Sequence, residues 1–430
     1  MKEVNQIARR MCGVWAAVVR GVGLGLLALA VPVQAANCFP NLLSSGNTNN
    51  RDVAFDTGSI GPQDPWGMPP ATALTSRFPC DGGADCTLAT VLDEAHACAL
   101  LVVKGGRLVY EYYESGKGYC GATAGDPNRA DREYGLASIT KSITSTLLGH
   151  LMADPARYGE VGPSDRMATL VQGLPTTGAL REVTLEKALT MRSKLDFKEG
   201  DNCLQKWTSD NAQPTGAGGT EPGKTLLQAV SQYNQRRWLG GDFRYAGLDT
   251  SLVGLVVENA LERAAAGAPN PPRRLDEALT QWIWKRAGMR HVARWKADHA
   301  GTPNPYCCFY STPRDLARFG HYVLQLTQGR GPAPQAAALK DWMAKATREA
   351  SLSHTCSVQH QAVRVGYGYQ WWTLSGDEGF LGWGVRGQFL HVMPARDLVI
   401  VQLGSRPEPW PEGRACRVFA AHRYLADQPW

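Results

Sequence analysis

The sequence lacks the signatures of several common hydrolase and redox classes. No G-x-S-x-G is present, so the strained serine turn of an α/β-hydrolase is missing. There is no H-E-x-x-H, and the nine histidines are scattered, which argues against a zinc hydrolase. No two cysteines form a C-x-x-C pair, which disfavours a zinc ribbon or a thioredoxin-type motif. There is no internal repeat. The formal net charge is only +6, and half of it lies in residues 1–35, where Lys2, Arg9, Arg10 and Arg20 outweigh Glu3. The remainder is too small to point to nucleic acid or an acidic membrane surface as partner.

What is present begins with an export signal. A basic start precedes the apolar run from Gly21 to Val33, which ends in small residues around Ala35 and Ala36. This pattern predicts a signal peptide over residues 1–35. The run is short and Gly-rich for a membrane span, so no span is expected once the signal is removed. Cys38 could carry a lipid anchor, but Asn37 before it fits one poorly. Cys12 leaves with the signal, and the ten cysteines that remain fit disulfides in an exported protein, with the pairing open.

The chain is organised around Tyr134–Gly149. Downstream of Ser138, Ile139, Ile143, Leu147 and Leu151 recur every fourth position, and Leu148 and Met152 widen the stripe. That period predicts a helix packed on a core, with Ser138 at its start. Lys141 lies three positions on, where side chains share a helix face. A hydroxyl is a weak nucleophile until a neighbouring base takes its proton. Ser138 therefore reads as a nucleophile and Lys141 as its base. The bland reading of the same residues is a serine that caps the helix and a solvated lysine.

Around this stretch, residues 36–97 are rich in Asn, Gly and Pro and predict an irregular extension whose Pro65-Trp66-Gly67 could approach the site. Two β-prone runs between Ala99 and Tyr113 flank Gly105-Gly106, a hairpin signal. Residues 156–350 read as mostly helical, with helices at 184–191, around 252–260 and from Thr312-Pro313 onward, and a long polar loop over 200–224. The last ninety residues turn to β, at 367–374, 388–393 and 398–403. The predicted fold class is α+β: one antiparallel sheet built from residues 98–155 and 351–430, flanked by helices, with the helical region inserted.

Three motifs together resemble the serine β-lactamase/penicillin-binding-protein superfamily, in its branch of class C-like esterases, D-amino-acid peptidases and 6-aminohexanoate-dimer hydrolases. They are Ser138-Ile-Thr-Lys141, then Phe243-Arg-Tyr-Ala-Gly-Leu-Asp-Thr250 at the place of the family's Tyr-x-Asn/Ser element, then Gly382-Trp-Gly-Val-Arg-Gly-Gln388 at its Lys-Thr-Gly strand. The resemblance implies an acyl-serine mechanism without metal or cofactor. Tyr245 would relay a proton between Ser138, Lys141 and the leaving group. The backbone N–H groups of Ser138 and Val385, the latter on an edge strand after Gly384, would form the oxyanion hole. Lys141 would have to be uncharged part of the time, which requires burial.

Gly382 and Trp383 stand where the family has Lys and Thr, and Gly247 where it has Asn. Those groups grip a substrate carboxylate, so their absence argues against penicillins and for an apolar pocket. Trp383, Trp371, Trp372, Trp238 and Trp207 could wall it, and Gly384 could admit a substrate backbone. The expected function is an exported serine hydrolase acting on a small ester or amide. A D-amino-acid peptidase or carboxypeptidase, a β-lactamase and a non-catalytic binding protein on the same fold are the alternatives.

Overall fold

In the computed structural model the described residues are 50–53, 66–69, 72–80, 85–120, 129–197, 225–266 apart from 236 and 238, 270–298, 300–406 and 412–430. All belong to the unit Asn37–Trp430. The strands are β1 (Asn50–Val53), β2 (Arg77–Pro79), β3 (Asp85–Thr87), β4 (Ala97–Lys104), β5 (Arg107–Tyr113), β6 (Tyr134–Gly135), β7 (Ala293–Lys296), β8 (Phe309–Ser311), β9 (Ser351–Val358), β10 (Gln361–Tyr367), β11 (Trp372–Leu374), β12 (Phe380–Gly384), β13 (Gln388–Met393) and β14 (Leu398–Gly404). Six helices matter for the site and its support: α1 (Leu88–Glu94), α2 (Ile139–Met152), α3 (Gly247–Ala264), α4 (Pro313–Thr327), α5 (Ala336–Ala346) and α6 (Glu412–Ala426).

An eight-stranded antiparallel sheet runs in the order β5-β4-β14-β13-β12-β11-β10-β9. Its strands come from both ends of the chain, and β14 joins them by pairing Val401 with Leu101 and Leu390. Alternate residues of each strand enter different cores, because successive side chains point to opposite faces. Leu101, Val103, Leu390, Val392, Val399 and Val401 pack into the core that contains α2, α3 and α4. Leu100, Val102, Phe389, Met393, Leu398 and Ile400 pack with α1 and α6. With both faces covered, the strands read as continuous apolar runs.

The hairpin turn lies where expected, with Gly105 and Gly106 both in the left-handed region at φ +57° and +77°. Thr312 caps α4 by accepting from the Asp315 amide, with Pro313 at the first helical position. Gly320 lets α4 lie on the sheet, since a Cβ there would come within 2.6 Å of Leu390 and Val399.

Several expectations change. The region 156–350 is not simply helical. It contains β7 and β8, which belong to a four-stranded sheet in the order β1-β7-β8-β6, and α4 packs against β4, β13 and β14 of the large sheet. The C-terminal part holds more strands than the three expected and ends in α6. Residues 367–374 are not one strand, because Gln370 takes a left-handed turn at φ +63° between β10 and β11. Trp66 is anchored on the hairpin turn instead of the site, donating from Nε1 to the Gly106 carbonyl at 3.1 Å and lying under the Arg318 guanidinium. Among the described residues, disulfides join Cys80–Cys86, Cys98–Cys120, Cys307–Cys308 and Cys356–Cys416. Cys38, Cys203 and the loop 200–224 lie outside the described residues. No described helix is long and apolar enough to cross a membrane.

Candidate active site

Helix α2 is buried on all sides, from Ile139 through Leu151, and not on a stripe alone. Its hydroxyl residues make this tolerable by donating to neighbouring backbone carbonyls. Thr144 donates to Pro305, Ser145 to Tyr369 and Ser142 to Gln370, at 2.7–2.8 Å. Gly149 receives the indole of Trp342, which would lie 2.4 Å from a Cβ there. The helix is therefore fixed both along its length and in rotation, which fixes where its first turn points.

Ser138 precedes that turn, at φ −73° and ψ −4°. Its side chain makes no capping hydrogen bond, so the bland reading of a helix cap does not hold. Instead, Lys141 Nζ lies 2.9 Å from Ser138 Oγ. Lys141 is 1% exposed and Ser138 6%, which takes the amine out of water. A second hydrogen bond runs from Lys141 Nζ to the Tyr306 carbonyl at 3.1 Å. Ala137, just before the serine, sits in the left-handed region at φ +48°, a conformation that costs an alanine energy and persists only when its surroundings impose it.

Tyr245 lies immediately before α3, and Lys141 Nζ is 4.7 Å from its ring centroid. The amide of Arg244 bonds to the Met191 carbonyl, and that of Ala246 reaches Met191 Sδ, which sets the approach of this segment. Lys141 Nζ thus meets both the Ser138 hydroxyl and the face of the Tyr245 ring. The ring of Tyr245 stacks on Trp372 at 5.5 Å between centroids, and Trp372 meets Trp383 at 5.1 Å. Phe243 and Tyr367 complete this aromatic group. Of its half-buried members, Tyr245 is the one that meets the lysine, whereas Trp383 turns to the α6 face of the sheet and packs on Phe389 and Phe419.

Strand β12 supplies the other side. It is not a sheet edge, since it lies between β13 and β11. Its pairing with β11 stops at Leu381, however, so Gly382–Gly384 have no partner strand on that side among the described residues. This half-open stretch faces the start of α2. A Cβ on Gly382 would lie 3.1 Å from Ile139, and one on Gly384 would lie 2.6 Å from the Leu136 carbonyl. The two glycines therefore let strand and helix meet, and their Cβ directions point at the protein itself. Val385 follows, half-buried, and Arg386 and Gly387 turn the chain into β13 with φ of +67° and +86°. Burial lowers the pKa of the half-buried Arg386.

The tryptophans divide. Trp372 stacks on Tyr245, Trp383 packs on Phe389 and Phe419 of the α6 core away from α2, and Trp371 is fully buried against Phe380. Trp207 and Trp238 lie outside the described residues. Two contributions had no motif to announce them: the Tyr306 carbonyl and Gln370. The Gln370 side chain donates to the carbonyls of Ala188 and Leu189, and so ties the turn before β11 to the inserted region. His354, Cys356 and Cys416 lie close enough together to suggest a metal site among the described residues, but the two sulfurs are bonded to each other.

Sheet, helices and converging Ser-Lys-Tyr residues define the class: a hydrolase of the serine β-lactamase/transpeptidase type of fold. The β-lactamase family model matches residues 88–424, and the chain belongs to that family. It is 26% identical over 349 residues to the 6-aminohexanoate-dimer hydrolase of Paenarthrobacter ureafaciens, covering 78% of each chain. Among solved structures it is similar to a Bacillus anthracis chain provisionally named a 6-aminohexanoate-dimer hydrolase, with TM-score 0.64, 21% identity and coverage of 89% and 92%. It is also similar to EstCE1, a hydrolase with promiscuous acyltransferase activity, with TM-score 0.51, 14% identity and coverage of 79% and 98%. These two structural likenesses speak to the fold.

Proposed function

We propose that the protein is an exported serine hydrolase that cleaves a small ester or amide through an acyl-Ser138 intermediate. The observation that carries this is the Lys141 Nζ–Ser138 Oγ hydrogen bond inside a buried first turn, with the hydroxyl released from any capping duty. Lys141 takes the hydroxyl proton as Oγ attacks the acyl carbon. Tyr245 passes a proton to the departing alcohol or amine. The amides of Ser138 and Val385 bind the oxyanion, and water then releases the acid and restores the hydroxyl. The Tyr245 ring against the lysine, with Trp372 stacked on it, together with Gly382 and Trp383 in place of a Lys-Thr pair, supports a neutral, largely apolar acyl or amine portion. The related dimer hydrolase makes a short linear amide the first substrate to try. Cleavage of residues 1–35 on export is part of the proposal, and the four cysteine pairs support an oxidising destination.

The test combines labelling with turnover. A fluorophosphonate should attach to Ser138 and block hydrolysis. Short-chain esters, D-amino-acid amides and aminohexanoate dimer should be compared with Ser138→Ala as control. An adduct on another residue, or an active enzyme that takes no label, would sink the assignment.

A further inference from the structure

The segment 304–308 is held at almost every carbonyl. Asn304 accepts from the Trp295 indole at 2.8 Å, Pro305 from Thr144 at 2.7 Å, Tyr306 from Lys141 at 3.1 Å, and Cys308 from the Lys296 amide at 3.0 Å. The Pro305 ring also fills the slot over Gly254 of α3. Directly after Tyr306 come two adjacent cysteines bonded to each other, 2% and 3% exposed. Their disulfide closes a small ring through the peptide that joins them, and Cys308 sits in the left-handed region at φ +71°. Only glycine enters that region without steric cost, so an unconstrained pair here would favour other backbone angles.

What this ring positions is the carbonyl beside it. A neutral lysine amine has two N–H groups and one lone pair. If one N–H is held by Tyr306, rotation about the Cε–Nζ bond is restricted and the lone pair can be aimed at Ser138. Loss of that acceptor would remove one of the contacts that orient the amine, and a small loss of aim has a large effect on proton transfer.

We propose that the Cys307–Cys308 disulfide is a positioning element of the catalytic lysine: it fixes the Tyr306 carbonyl, which in turn orients Lys141 towards Ser138. This rests on Lys141 being the base. Neither cysteine touches the substrate. Reduction by a dithiol would transfer two electrons and two protons to the pair, giving two thiols and the oxidised reagent, and would release the constraint.

The experiment uses the oxidised full-length protein and two double variants, Cys307→Ala/Cys308→Ala and Cys307→Ala/Cys308→Gly. The second keeps the left-handed angle accessible should the first fail to fold. Acylation is followed as the burst with a p-nitrophenyl ester, alongside melting temperature, KM and the pH profile of the burst. The expected result is a fall in acylation rate of about ten- to a hundredfold with KM nearly unchanged, and a displaced acid limb of the pH profile. A folded variant with the wild-type burst rate and pH profile overturns the proposal. As a measurement that needs no variant, the wild type is titrated with tris(2-carboxyethyl)phosphine, and each cysteine pair is followed by alkylation and mass spectrometry. Activity should track the 307–308 pair, and activity that tracks another pair overturns the idea. Lys141→Met separates the two levels. If it acylates normally, the base assignment has failed; if it is dead while the double variants are unaffected, only the positioning role has.

Discussion

Thr250 of α3 donates its hydroxyl hydrogen to the side-chain carbonyl of Gln370, 2.6 Å away. The Gln370 amide nitrogen bonds to Ala188 and Leu189, its backbone carbonyl accepts from Ser142 of α2, and its backbone amide donates to Leu189. The buried side chain thus joins α3, the 185–189 helix and the turn that leads to Trp372, and the backbone of the same residue adds α2. Gln370→Ala should cost about 2–4 kcal/mol, because it strands buried donors and acceptors at a left-handed position. Urea unfolding checks this, and a loss under about 0.5 kcal/mol would show that water replaces the network.

Lys141→Arg keeps hydrogen-bond donors at this position but removes the base, since a guanidinium does not give up its proton. Turnover should fall on the order of 10²–10⁴-fold with little change in melting temperature. Activity within about threefold of wild type would mean that the charge, not the lone pair, is what matters.

Gly384→Ala places a methyl group 2.6 Å from the Leu136 carbonyl, between β12 and the start of α2. The expected cost is about 1–3 kcal/mol of stability, with a larger loss of activity as Ser138 and Val385 are pushed apart. Gly118→Ala, where a Cβ meets nothing within 4 Å, is the control and should be close to neutral.

His391 and His422 face each other in the core between β13 and α6, with Nδ1 atoms 3.2 Å apart, and His391 Nε2 lies beside the Glu378 carbonyl. Burial pushes His391 down to about 4, and burial and His391 hold His422 well below its ordinary value. Both pKa values are lowered on folding, so the stability from this neutral pair is fully present above pH about 6.5 and is lost as pH falls towards 4. The sign is opposite for His291, which Asp315 and Asp131 raise: its contribution is present below the ordinary histidine pKa and fades as pH rises through the folded value. The urea midpoint of wild type should drop between pH 6.5 and 4, and His422→Leu should flatten that limb.

The sheet was legible where both faces are covered. The runs at 99–103, 388–393 and 398–403 are largely apolar, with Gln388, His391 and Gln402 the exceptions, because they feed two cores, and Gly105-Gly106 marked the turn between β4 and β5. Strand β9 was missed because it lies at the sheet edge and much of it is polar and partly exposed. Helix α6 was missed because its arginines and histidine break the stripe. The Ser138–Lys141 contact was legible because a spacing of three is a statement about one helix face. The Tyr306 carbonyl was not, since every residue has a carbonyl and only the fold says which one meets an amine. Trp371 and Trp372 show the limit of residue type alone: neighbours in an extended chain point opposite ways, so one is buried against Phe380 and the other stacks on Tyr245.

The pairing of β4 with β14 has a consequence for biosynthesis. The ribosome makes the nucleophile's helix in the first half of the chain, but the strand that closes the gap between β4 and β13 is among the last segments to emerge. A truncated product that stops before Leu398 would leave two half-sheets with raw edges and no strand to join β4 to β13. Activity should therefore appear only after release of the finished polypeptide, never on the nascent one.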